Sequence, residues 1–181
     1  MFGILVCENP ITKAPVILKA FSGQFNGLWN APGWAPPLIN VDNFKKAVEK
    51  VDPELKELTA KIKKNPDNSQ KNKLIEYRRT ISQAHMREIH EMYNIRNFNK
   101  ETTNLFNLFH HKKGIPAGTG DCCAPKLLNQ AIILGLKPLS LAEFFWGREN
   151  RSGTKQHKIF YPPCEEKCRP ILGFMLCGAD K

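Results

Sequence analysis

Two groups of cysteines in this 181-residue chain have the residue types and setting of metal ligands. Cys164 and Cys168 stand four positions apart in "YPPCEEKC", behind a rigid pair of prolines, and Cys122 and Cys123 are adjacent in "GTGDCCAPKLL". On a helix, residues i and i+4 share one face, so both later thiolates point at one ion if Cys164 lies in a first turn. Free N–H groups at a helix start favour anions, lower thiol pKa values and help zinc compete with protons. A second helix start at "DCCAPK" supplies a third thiolate by the same logic. Three protein ligands plus water is the arrangement of a catalytic zinc, whereas four make a closed structural site. The expected zinc ligands are Cys122, Cys164 and Cys168, with Cys123 the alternate for Cys122, and His157 or water completing the shell. Either group alone also reads as small buried hydrophobes. Their joint occurrence, each behind a Pro or Gly turn and each opening a helix, favours a shared metal. Cys7 and Cys177 have apolar contexts and no partner in sequence, and are assigned to the core.

The elements that must position these thiols follow from pattern. "FGILVCE" and "VILKAFSG" read as two strands joined by an Asn/Pro turn, a hairpin. Residues 26–40, "NGLWNAPGWAPPLIN", form a loop in which Trp29 and Trp34 anchor on the core rather than stack on a ligand. From Val41 to about Arg96 the composition turns to Lys, Glu, Leu and Ile, predicting a helical insertion that flanks the sheet. Asp42 and Asp52 read as cap signals, with Pro53 at a first helical position. "NPDNSQ" breaks the run, after which Leu74, Tyr77, Ile81 and Ala84 recur at helical spacing. A helix begins near Cys123, "KPLSLAEFFWG" and "HKIFY" are strands, and "CEEKCRPILGFML" is a helix interrupted at Pro170. The order predicts a layered α/β domain over residues 1–181, a sheet flanked by helices with an insertion at about 41–96.

Hydrophobic residues at 41% and charged residues at 24% are those of a globular chain. Apolar runs such as "AIILGL" are far short of a membrane span, and "MFGILVCENP" lacks a signal-peptide pattern, so a cytoplasmic setting with reduced thiols is expected. Lys and Arg number 27 against 17 Asp and Glu, a net charge of +10. Such an excess favours a polyanionic partner through counterion release, here a nucleic acid. Arg78 and Arg79 on the second insertion helix, and Lys112 and Lys113 after it, are the expected phosphate contacts. A solvated helix face is the alternative reading of the first pair.

"GTGDCCAPKLLNQA", followed by a strand and then "YPPCEEKC", resembles the zinc signature of the cytidine-deaminase-like fold, a His or Cys before Ala-Glu and a later P-C-x-x-C. In bacterial toxin-like members the first motif tends to read C-A-E-P-K. In this chain Ala124 occupies the position of the catalytic glutamate, and the second motif is one residue longer. A resemblance spanning nearly the whole chain is to the amino-terminal region of long RluA-type pseudouridine synthases. It rests on "MFGILV", "YRRTISQAHMREIHEMYNI", "GIPAGTGDCCAPKLLNQAIILGLKPLSLAEFFWG" and "FYPPCEEKCRPILGFML". In those proteins the region precedes the catalytic domain and its cysteine motif likewise lacks the glutamate. The synthase motif His-Arg-Leu-Asp is absent from these residues.

The resemblance implies a deaminase-like fold, a zinc ion, and a pseudouridine synthase catalytic domain as partner in cis or in trans. Three functions compete. The first is an RNA-associated accessory domain without deaminase activity. The second is an active zinc-dependent nucleobase deaminase in which Asp121 or Glu143 replaces the missing acid/base. The third is a protein-interaction module.

Overall fold

The computed structural model describes residues 1–109, 114–149 and 153–180. It is a mixed α/β protein in two compact units, one of residues 1–38 and 93–181, the other of residues 39–92.

The larger unit is built on a three-stranded antiparallel sheet. Strands β1 (Phe2–Glu8) and β2 (Pro15–Phe21) form the expected hairpin. A strand from much later in the chain, β5 (Lys137–Phe144), pairs with the other edge of β1, giving the order β2-β1-β5. Alternation along β1 separates two faces. Gly3, Leu5 and Cys7 are buried on the face covered by helix α4 (Cys123–Leu134), while Ile4 on the opposite face is exposed. Gly3 is what lets α4 approach: a Cβ there would lie 2.5 Å from the Cys123 Cβ and 3.1 Å from Leu127 Cδ1. Gly3→Ala should therefore cost about 1–3 kcal/mol, the usual penalty of overpacking, as checked by denaturant unfolding of the variant against the native chain.

Several elements of this unit depart from the sequence pattern. Strands β3 (Asn94–Arg96) and β4 (Thr102–Asn104) pair as a short hairpin, and α3 (Leu105–Leu108) follows directly. β3 lies inside the stretch expected to be helical, so the insertion ends earlier than Arg96. Its backbone is fixed through the fully buried Asn97, which donates to Glu101 Oε2 at 2.7 Å and accepts from Glu101 N at 2.9 Å. "HKIFY" is not a full strand but a single bridge, Phe160 opposite Phe144. The final helix is only α5 (Arg169–Met175), because Pro170, which lacks an N–H, fits its first turn rather than its interior.

The smaller unit is a helical hairpin of α1 (Val41–Lys64) and α2 (Asn68–Glu91). Asn40, not Asp42, caps α1, its Oδ1 accepting from Asn43 N at 3.0 Å. Pro53 does not start a second helix but sits inside a continuous one. Buried Ala47 and Leu58 lie close to a whole number of turns apart, so one apolar face continues across the proline. Asp67 caps α2, accepting from Ser69 N at 2.8 Å and Gln70 N at 3.4 Å. The inward face of α2 is Leu74, Arg78, Ile81, His85 and Ile89, whereas Tyr77 and Ala84 are exposed. No helix of the described residues is long and apolar enough to cross a membrane.

Candidate metal centre

Three of the expected ligands converge. The Cys122 and Cys164 sulfurs are 3.9 Å apart, those of Cys164 and Cys168 are 3.3 Å apart, and all three lie within 4.8 Å of one another. Four ligands around zinc at about 2.3 Å define tetrahedral edges of about 3.8 Å, so this donor set fits a thiolate-bound ion. Two backbone devices assemble it. Cys122 is the N-cap residue of α4, held extended at φ −69° and ψ 165°. Cys164 is not in a helical first turn as expected: it opens a tight turn in which Cys168 N and Arg169 N both donate to the Cys164 carbonyl at 3.1 Å. That turn brings Cys164 back over Cys168, the N-cap residue of α5.

The thiols share their protons unequally. Hydrogen bonding from Cys168 is the main cause that holds Cys122 below the usual thiol range, with burial opposing it and Cys164 and Lys167 helping. The same bond, with burial and the Cys122 charge, pushes Cys168 far up. Cys122 thus becomes a thiolate, the state a metal requires, more readily than Cys168.

Neither alternate ligand joins the group. Cys123 turns away from the cluster: it is fully buried, its Sγ donates to the Met1 carbonyl at 3.6 Å, and burial pushes its thiol up to about 12. His157 packs against Trp146 with the rings tilted, centroids 4.6 Å apart, and its Nδ1 accepts from Gly147 N at 3.2 Å. Of the two cysteines assigned to the core, Cys7 is buried and Cys177 is exposed.

The two acid/base candidates are both near the cluster and both engaged. Glu143 projects from β5 to the start of α4, where its Oε1 accepts from Ala124 N at 2.9 Å. Cys122 supplies no side-chain cap, so this carboxylate from a neighbouring strand satisfies the orphan amide. Burial raises the Glu143 pKa, while the Ala124 amide and Lys155 pull it back. Asp121 accepts from the Tyr93 hydroxyl at 2.7 Å, and burial raises its pKa against the pull of that bond, Lys126 and Lys167.

Lys126 has no role predicted by sequence pattern, although it ends the C-C-A-P-K run. It is fully buried, and its Nζ donates to the carbonyls of Phe21 at 3.0 Å and Gly23 at 2.8 Å, tying the first turn of α4 to the end of β2. A cavity of about 270 Å³ opens beside Ala124, but leucines from β1, α4, β5 and α5 dominate its walls, and among the described residues no cysteine lines it.

No family model, curated protein or solved structure matches the chain. The site therefore stands on its own geometry.

Of the expected phosphate contacts, Arg78 is half-buried, its Nε donating to Thr59 Oγ1 at 2.8 Å. Arg79 is exposed and lies 3.7 Å from Glu76. Lys112 and Lys113 lie outside the described residues.

Proposed function

We propose that this chain is an RNA-associated accessory domain of deaminase-like fold that binds zinc through Cys122, Cys164 and Cys168, as its resemblance to the amino-terminal region of RluA-type pseudouridine synthases implies, and that it does not deaminate. The observation that carries the reading is the convergence of three sulfurs within 4.8 Å at a helix start, where Ala124 stands at the position the resemblance gives to the acid/base and the Glu143 carboxylate is already bonded to the backbone. Zinc bound there would cross-link the turn before α4 to the turn before α5. In that setting Lys126 anchors α4 to β2, Glu143 fixes the amide of Ala124, and Tyr93 holds Asp121. The cavity beside Ala124, walled mainly by leucines, offers few groups to read the polar edge of a base.

The test combines RNA titration against salt with an assay for ammonia. Binding should weaken as salt rises, because the net charge of +10 acts through phosphate neutralisation. Replacing Arg79, Lys112 and Lys113 by alanine should weaken binding to all sequences and flatten the salt slope by about one for each phosphate no longer neutralised. Arg78 is left in place because its bond to Thr59 supports the helical hairpin. No ammonia should appear from cytosine or adenine substrates, since losing a general acid/base costs about a hundredfold to ten-thousandfold.

The second reading, an active deaminase, is favoured by one observation: the Glu143 carboxylate reaches the α4 N-terminus from β5, close to the position that Ala124 vacates. Zinc-dependent ammonia release that is abolished in Glu143→Gln would establish it.

A further inference from the structure

The face of the sheet opposite α4 has a line of aromatic rings that the zinc site does not use. Phe2 on β1 and Phe144 on β5 are register partners and stack at 6.2 Å between centroids. Phe25 meets Phe2 edge-on at 5.7 Å, and Phe160 meets Phe144 edge-on at 5.9 Å, so four rings run across the strands in one row. The inner two are half-buried, while Phe25 and Phe160 are 50% and 67% exposed. Large rings left this open at both ends of a row are a surface awaiting a flat partner.

Both outer rings are presented by fixed backbone. Phe25 and Leu28 exchange two hydrogen bonds of 2.9 Å around Asn26 and Gly27, whose φ values of 49° and 79° make the tight turn that Asn-Gly favours. Phe160 is bridged to Phe144 and flanked by bonds from Phe145 N to the Ile159 carbonyl and from Tyr161 N to the Glu143 carbonyl, at 3.0 and 2.9 Å. Trp34, expected to anchor its loop, does so on the same face at the β2 end, with its centroid 5.8 Å from Phe2 and 5.7 Å from Phe21, register partners.

The charges around the row select the partner. Lys19, on the same face opposite Ile4, holds its Nζ 5.4 Å from the Trp34 ring. Past the Phe160 end, Lys158 lies over Trp146 at 5.3 Å. The acid of β1 on this face, Glu8, is at the far end of the strand and paired with Lys13 at 3.2 Å. Rings bordered by cations match bases on a phosphodiester backbone, whereas a second copy of a chain carrying +10 would set cations against cations.

We propose that the open face of the β2-β1-β5 sheet is a stacking platform for single-stranded RNA, with Phe25 and Phe160 as its exposed base-stacking rings. This rests on the RNA-associated reading and names its surface. Bases stack on the outer rings, and Lys19 and Lys158 neutralise the phosphates between them.

The test is a fluorescence-anisotropy titration of a labelled, uridine-rich, single-stranded RNA oligonucleotide at several salt concentrations. Phe25→Ala and Phe160→Ala should each weaken binding by about 5- to 150-fold, the range for loss of one base–ring stack, with the salt slope unchanged. Unaltered thermal unfolding and metal content will show that both variants are folded. Native binding together with double-variant binding within twofold of native overturns the platform and leaves the RNA-associated reading standing. Absence of native binding at low salt removes that reading and the platform with it. A native dimer dissociated by the same two substitutions makes the face a self-interface and also overturns the proposal.

Discussion

Cys168→Ala should lose both the bound zinc and a large part of the stability of the unit that carries it. Cys168 is fully buried and its sulfur lies 3.3 Å from that of Cys164, so it cannot be replaced from solvent. A zinc ion held there would join the turn at Cys122 to the turn at Cys164, segments far apart in sequence, and would bind only when both are folded. Ligand present at about a thousandfold above its Kd stabilises a folded state by about 4 kcal/mol. Thermal unfolding in the presence of zinc should therefore shift down strongly in the variant, and a chelator should shift the native chain in the same direction while leaving the variant unmoved. Cys123→Ala and Cys177→Ala, which remove sulfurs outside the cluster, should keep a full equivalent of zinc.

The second large effect is expected at Glu143. Glu143→Ala leaves the Ala124 amide without its acceptor in a buried setting, which costs about 1–3 kcal/mol or more for a charged partner, together with the loss of an anion at the N-terminus of α4. Glu143→Gln keeps an oxygen acceptor of the same reach and should recover most of that loss in denaturant unfolding. A carboxylate that only caps the helix gives this ordering with no change in RNA affinity. Were Glu143 instead a proton shuttle, the glutamine variant would be folded and inactive.

The cysteine set is legible in the sequence because both motifs carry their own backbone signals: Gly before Cys122, the proline pair before Cys164. The geometry is less so. Spacing alone puts Cys164 in a helical first turn, but Pro170 confines α5 to start at Arg169, and a tight turn returns Cys164 to the cluster instead. The capping role of Glu143 depends on β5 pairing with β1 in a register that sets Glu143 opposite Gly3, and no local pattern reports a register between distant strands. The row of phenylalanines is hidden for the same reason. Pro53 misleads because proline is usual at a helix start, whereas here the apolar face of α1 runs through it. Asn94–Arg96 has no periodicity to declare a strand; its pairing with Thr102–Asn104 supplies one. His157 is a candidate ligand on residue type alone, and its packing against Trp146 is a contact that sequence spacing does not encode.

The central claim is a metal held by three thiolates, and X-ray absorption at the zinc edge of the protein purified without chelator tests it most directly. One zinc per chain is expected, with three sulfur neighbours at about 2.3 Å and one oxygen or nitrogen at about 2.0–2.1 Å, reduced to two sulfurs or to no zinc in Cys164→Ala. A shell of oxygen and nitrogen alone, or a metal-free native protein that stays so when zinc is supplied, would contradict it.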